Sequence, residues 1–132
     1  MKPALLDTSI WLWMQFASWK IRSETLRDLI EDADQTLYLS SVSVWEMSIK
    51  FGLGKLQLPE PPRSLFPAWL LRDQVRLLSI ELHHVTYVAD LPPHHSDPFD
   101  RLLVAQARLE HLTLVSADRQ MERYDVDLLP AW

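Results

Sequence analysis

Ala4-Leu5-Leu6-Asp7, running straight into Thr8-Ser9-Ile10-Trp11-Leu12-Trp13, decides the fold class. Three consecutive apolar residues closed by an acid read as a short strand buried on both faces. A helix over Ser9 to Phe16 follows at once. The same alternation repeats outward along the chain. Ser23 to Ala33 reads as an amphipathic helix with Leu26, Leu29 and Ile30 on one face, and Leu37 to Ser40 as a second strand. Ser43 to Phe51 is a helix stopped by Gly52 and Gly54, with Ser43-Val44-Trp45-Glu46 reading as a capping box. Pro59, Pro61, Pro62 and Pro67 mark a loop, and Leu65 to Asp73 is a short helix. A strand over Arg76 to Ile80 and a helix over Glu81 to Leu91 follow. Beyond the Pro92–Pro98 loop come a helix over Phe99 to Glu110 and a strand over Leu112 to Ser116. A short helix starts at Ala117, and a last strand lies near Val126 to Leu129. Strands separated by helices imply an α/β fold with a mostly parallel sheet covered on both faces.

The chain has 132 residues, suited to one compact domain over 1–132, and no repeat or low-complexity tract divides it. It has no cysteine, which excludes disulfides, zinc–thiolate sites and thiol catalysis. The apolar stretch Ile10 to Ala17 falls far short of the roughly 20 residues of a spanning helix, and it lacks a cationic leader. No membrane association and a cytoplasmic location are therefore expected. The net charge of -5 runs against a nucleic-acid substrate, since phosphate binders are usually basic. That objection weakens if the acids surround divalent cations, or if a basic partner chain supplies charge.

In open α/β sheets ligands bind beyond the carboxyl ends of the strands. Asp7 closes the first strand, and Glu46 lies in the helix after the second. Asp97 and Asp100 bracket a helix start, and Asp118 lies two residues past the fourth strand. A parallel sheet would gather these acids on one rim. Carboxylates within about 5 Å repel by roughly 3 kcal/mol per pair at an effective dielectric of about 20. A hard cation with oxygen ligands such as Mg²⁺ is the natural counter-ion, and it would activate water and stabilise phosphoryl charge. Each acid also has a structural reading. Asp7 and Asp118 would cap helices, Glu46 would complete the capping box, and Asp97-Pro98 has the order of an N-cap followed by proline. Asp100 would favour the helix dipole.

Taken together, four segments resemble the PIN-domain family, in particular the VapC-type toxins of bacterial toxin–antitoxin systems. They are Leu5 to Ser9, Ser43 to Leu56, Asp97-Pro98-Phe99-Asp100-Arg101-Leu102-Leu103 to Ala107, and Leu112 to Arg119. The third is the most specific. The resemblance implies a three-layer α/β/α fold and endonucleolytic cleavage of single-stranded or structured RNA with Mg²⁺ or Mn²⁺. By position it implies that Asp7, Glu46, Asp100 and Asp118 are the catalytic, metal-binding acids, with Asp97 as an accessory. Asp7, Asp100 and Asp118 would hold one ion, and Glu46 would bind a water or help a second. Thr8, Ser9 and Ser116 would orient the carboxylates; the family usually has threonine where this chain has Ser116. The resemblance further implies a homodimer and a cognate antitoxin.

Arg101 and Arg119, beside the acids, and Lys50 and Lys55, after the Glu46 helix, are candidates to meet RNA phosphates. His94-His95, near Asp97, could be a transition-metal site but reads more simply as an exposed loop pair, and His83-His84 reads as surface or partly packed; the metal mechanism needs no histidine base. Six tryptophans are many for this length. Trp11 and Trp13 stand two apart and cannot share a helix face, so one should enter the core and the other a partner surface. Two rival functions remain. A HAD-type phosphatase needs a second acid where Ser9 stands, and a catalytically inactive partner-binding module would have no need of all four acids.

Overall fold

The computed structural model describes residues 2–132. Five strands form one sheet: β1 (Ala4–Leu6), β2 (Leu37–Ser40), β3 (Val75–Leu78), β4 (Thr113–Ser116) and β5 (Leu128–Pro130). Their spatial order is β3-β2-β1-β4-β5, and every neighbouring pair is parallel. The helices are α1 (Thr8–Phe16), α2 (Glu24–Glu31), α3 (Ser41–Gly52), α4 (Pro62–Asp73), α5 (Leu82–Tyr87) and α6 (Pro98–Leu109). Short 3₁₀ turns cover Ser18–Lys20, Val88–Asp90 and Arg119–Arg123.

The pleat sends alternate side chains to opposite faces, and this splits the core in two. Ala4 and Leu6 of β1 and Val115 of β4 pack with Ile10, Trp11, Leu26, Leu29, Leu65 and Phe66 of α1, α2 and α4. Leu5 and Leu114 enter the opposite layer, with Leu103, Val104 and Ala107 of α6. Helix α3 serves both layers through Met47 and Val42. The chain is thus a three-layer α/β/α fold, as the sequence pattern requires. Trp11 is fully buried against Phe66 and Trp69. Trp13 is half-buried, with the Lys20 ammonium 5.8 Å from its ring, so the two do take different environments.

Several boundaries differ from the sequence expectation, each for a local reason. Helix α3 starts at Ser41 because the Ser40 hydroxyl accepts the Val42 N–H. Ser43 is therefore inside the helix and is no cap, which rules out the capping box with Glu46. Helix α4 starts at Pro62, since a proline at N1 needs no N–H partner there. The helix expected over Glu81 to Leu91 stops at Tyr87 and tightens into a 3₁₀ turn. Strand β3 begins and ends earlier than expected, and β5 starts two residues later and ends one later. Gly54, with φ 73°, reverses the chain after α3, and Lys55 N–H donates back to the Lys50 carbonyl at 2.8 Å.

From β1 the chain builds outward through β2 to β3, then returns to place β4 on the other side of β1. The reversal falls between β1 and β4, and such a switch point opens a crevice at the carboxyl ends of the two strands.

Candidate active site

The crevice between the ends of β1 and β4 holds the acids. Asp7 follows β1 and is almost fully buried. Its Oδ1 accepts the Thr8 N–H at 2.7 Å, and its Oδ2 accepts the Ser116 hydroxyl at 2.6 Å. Ser116 ends β4, is fully buried, and also accepts the Asp118 N–H at 3.0 Å. One hydroxyl thus fixes two acids. Asp118 caps the following 3₁₀ turn through Oδ1, which accepts the Gln120 N–H at 3.0 Å, leaving Oδ2 free of the backbone.

Glu46 enters from α3. Its Oε1 accepts the Thr8 hydroxyl at 2.9 Å and its Oε2 meets the Lys50 ammonium at 3.0 Å. Thr8 has a single hydroxyl hydrogen, and the carboxylate can only accept. The Ser43 hydroxyl, 2.8 Å away, is therefore the donor to Thr8. This Ser43–Thr8–Glu46 chain ties α3 to the first turn of α1.

Asp97 and Asp100 come from the start of α6. Asp97 caps the helix, its Oδ1 accepting the N–H groups of Phe99 at 2.8 Å and Asp100 at 3.3 Å. Asp100 points back toward the crevice. Burial, aided by the charges of Asp7 and Asp97, pushes its carboxyl up to about 7, with His95 working the other way. Burial likewise raises Asp7; the Ser116 and Thr8 hydrogen bonds pull it down, and Glu46 and Asp118 push it up again. The four acids foreseen from the sequence thus act on one another within a single crevice.

His95 completes the site, and sequence reasoning missed it. Its Nε2 lies 2.8 Å from Asp118 Oδ2 and 3.0 Å from Asp100 Oδ2. Its Nδ1 accepts the Asp97 N–H at 3.1 Å. A nitrogen that accepts carries no hydrogen, so the ring proton sits on Nε2 and faces the two carboxylates. The available signal was a histidine two residues before Asp97, in a loop stiffened by Pro92 and Pro93.

The remaining candidates divide. Ser9 is half-buried in the first turn of α1, while the hydrogen bonds to the carboxylates come from Thr8 and Ser116. Arg101, expected as an RNA contact, spends its guanidinium on the neighbouring loop instead of facing the acids. Its guanidinium donates to the carbonyls of Pro92 at 2.9 Å, Val88 at 3.0 Å, Leu91 at 3.3 Å and His95 at 3.5 Å, and to the Tyr124 hydroxyl at 3.2 Å. It clamps the loop that carries His95. Arg119 lies 5.2 Å from the Trp132 ring, Lys50 is paired with Glu46, and Lys55 is exposed.

A second cluster, His83, His84 and Glu110, lies away from the crevice. His84 is fully buried, more so than the surface or partly packed position expected. Its Nδ1 accepts the Glu81 N–H at 2.9 Å, so Nε2 carries the proton and donates to Glu110 at 2.7 Å. An imidazole using both nitrogens this way has no lone pair for a metal. The pair ties α5 to α6.

The donor set in the crevice fits a hard divalent cation. It offers carboxylate oxygens from four acids, and burial together with the neighbouring acids pushes the Asp100 carboxyl up to about 7. Asp100 and Asp118 bring their free oxygens and His95 Nε2 within 4.8 Å of one another.

Comparison with known proteins places these features in a family. The sequence is 34% identical over 61 residues to ribonuclease VapC16 of Mycobacterium tuberculosis, a match covering 46% of this chain and 43% of that relative. The chain thus matches less than half the length of that protein. Among solved structures it superposes on VapBC2 from Rickettsia felis bound to a promoter DNA fragment, with a TM-score of 0.71 and 19% identity over 96% of this chain and 97% of that one. FitAcB from Neisseria gonorrhoeae gives a TM-score of 0.65 at 19% identity over 98% of each chain. At such identities these are likenesses of fold. A profile of the PIN domain matches residues 4–127, and the chain belongs to the PIN-domain family.

Proposed function

We propose that this chain is a divalent-metal-dependent endoribonuclease, the toxin of a toxin–antitoxin pair. The observation that carries the reading is the convergence of Asp7, Glu46, Asp100 and Asp118 at the β1–β4 switch point, with Asp100 held near neutrality. Asp7, Asp100 and Asp118 would hold one Mg²⁺ or Mn²⁺, and Glu46 would bind a water or assist a second ion. A bound ion would polarise water and neutralise charge building on the phosphate. In the hydrolysis a water oxygen bonds to phosphorus, the bridging P–O bond breaks, and the leaving oxygen takes a proton. Thr8 and Ser116 orient the carboxylates through which this happens. Asp97 serves chiefly as the cap that positions Asp100.

A ribonuclease among the relatives supports an RNA substrate. Similar folds described as VapBC and toxin–antitoxin complexes support a cognate antitoxin. A homodimer follows from the family resemblance. Arg119, Lys50 and Lys55 are the cations at hand for RNA phosphates; release of Lys50 from Glu46 would free its charge. Among the described residues no helix is long and apolar enough to cross a membrane.

The test is cleavage of single-stranded and hairpin RNA by the purified chain, with Mg²⁺ or Mn²⁺ and with EDTA. Cleavage that needs the metal is expected. Cleavage that survives EDTA, or its absence with every substrate and metal, defeats the proposal.

A further inference from the structure

We propose that His95 is a placeholder for the cation, holding Asp100 and Asp118 together in its absence and displaced from their free oxygens when it binds. This rests on the reading of the crevice as a divalent-metal site.

The argument is one of competition for atoms. Asp118 Oδ1 is held by the backbone through the Gln120 N–H, so Oδ2 is the oxygen it presents to the crevice for an ion. That oxygen is the one His95 Nε2 approaches at 2.8 Å. The same nitrogen stands 3.0 Å from Asp100 Oδ2. A single N–H lies where a cation sharing these two oxygens would lie. His95 cannot simply become a ligand in place. Its Nδ1 accepts the Asp97 N–H, so Nε2 bears the hydrogen, and that hydrogen would point at the ion. For an ion to take both oxygens, the ring has to move.

Movement of the ring does not stay local. The side chain is only 11% exposed, so it cannot rotate without a shift of the loop around it. Its backbone N–H donates to the Tyr124 hydroxyl at 2.9 Å, and Tyr124 also accepts from Arg101. Displacement breaks the Asp97 N–H to Nδ1 bond and pulls on this Arg101–Tyr124 clamp. The 92–97 loop is thereby coupled to occupancy of the site. His95 is a positioning residue in this scheme.

The experiment uses the purified full chain and Mn²⁺ or Mg²⁺ alone. By titration calorimetry, His95→Ala is expected to bind Mn²⁺ about tenfold more tightly than the unaltered protein, the order of one hydrogen bond no longer to be broken. In the unaltered protein, saturating Mg²⁺ is expected to shift the His95 ring resonances and to speed amide exchange at Asp97. This second measurement decides the matter if the variant does not fold. Unchanged or weaker Mn²⁺ affinity in folded His95→Ala overturns the inference, as does a ring and Asp97 amide that ignore saturating Mg²⁺. In either case an unaltered protein that binds the metal and cleaves RNA leaves the proposed function standing. Failure of the unaltered chain to bind either ion overturns both.

Discussion

The Ser116 hydroxyl donates to Asp7 Oδ2 at 2.6 Å, a bond that joins the ends of β4 and β1 inside the crevice. It lowers the cost of keeping Asp7 charged while nearly fully buried. Ser116→Ala should raise the Asp7 carboxyl further and destabilise the fold by about 1–2 kcal/mol, since the Asp118 N–H also loses its acceptor. Urea unfolding measures the second effect, and a weakened Mn²⁺ affinity measures the first. Ser116→Thr keeps the hydroxyl and should restore affinity, at a packing cost set by its added methyl.

Stability should fall with rising pH in the absence of metal. Asp100 is raised from an ordinary value of 3.8 to about 7, and Asp7 is raised too. An acid raised in this way holds its proton in the fold after the unfolded chain has lost it. Its contribution is complete below about 4 and drains away as the pH climbs to about 7, by up to about 4 kcal/mol for Asp100. Denaturant midpoints in EDTA should thus be lower at pH 8 than at pH 5. Asp100→Asn should flatten the dependence, and saturating Mg²⁺ should offset the loss at pH 8. A midpoint in EDTA that rises over the same range contradicts the placement of these carboxyls.

Asp7→Asn should abolish metal-dependent RNA cleavage and leave the protein folded. It removes a buried charge, keeps one oxygen for the Thr8 N–H, and turns its amide NH2 to the Ser116 hydroxyl, which can accept in place of donating. Circular dichroism and thermal melting check the fold, and gel assays check the cleavage. Full activity in the variant would remove Asp7 from the catalytic set.

Arg101→Ala should cost about 2–4 kcal/mol, because four backbone carbonyls and the Tyr124 hydroxyl lose a charged donor. Arg101→Lys should recover little of this, since an ammonium cannot reproduce the planar fork. Amide exchange across 91–97 should quicken in both variants. An RNA-contact role would instead weaken substrate binding and leave exchange and stability unchanged.

The layers and the parallel sheet were legible because buried strands such as Ala4–Leu6 are short apolar runs and the helices between them are periodic. Asp7, Glu46, Asp100 and Asp118 were legible for a related reason. Each alone also reads as a cap or a dipole partner, but a parallel sheet brings acids that follow its strands to one rim, so their order along the chain marked them as a group. What escaped depends on contacts between distant segments. His95 meets Asp118, and His84 meets Glu110, across helices and loops whose approach no local spacing encodes. Arg101 adjoins Asp100 in sequence, yet one helical residue turns a side chain by about 100°, enough to aim it at the loop instead of the crevice. Ser43 looked like a cap because Ser40 and Ser41 offer competing starts; Ser40 takes the role, and Ser43 is free to donate to Thr8.

The reversal of strand order between β1 and β4 also bears on how such a protein is made. Asp7 is among the first residues of the crevice to be synthesised, and Ser116 and Asp118 are the last. A growing polypeptide that has already shaped β1, β2 and β3 still owns only part of the acid cluster. The proposed metal site is complete only when β4 slots in beside β1, so the cleavage proposed above would have to wait for a nearly full-length chain.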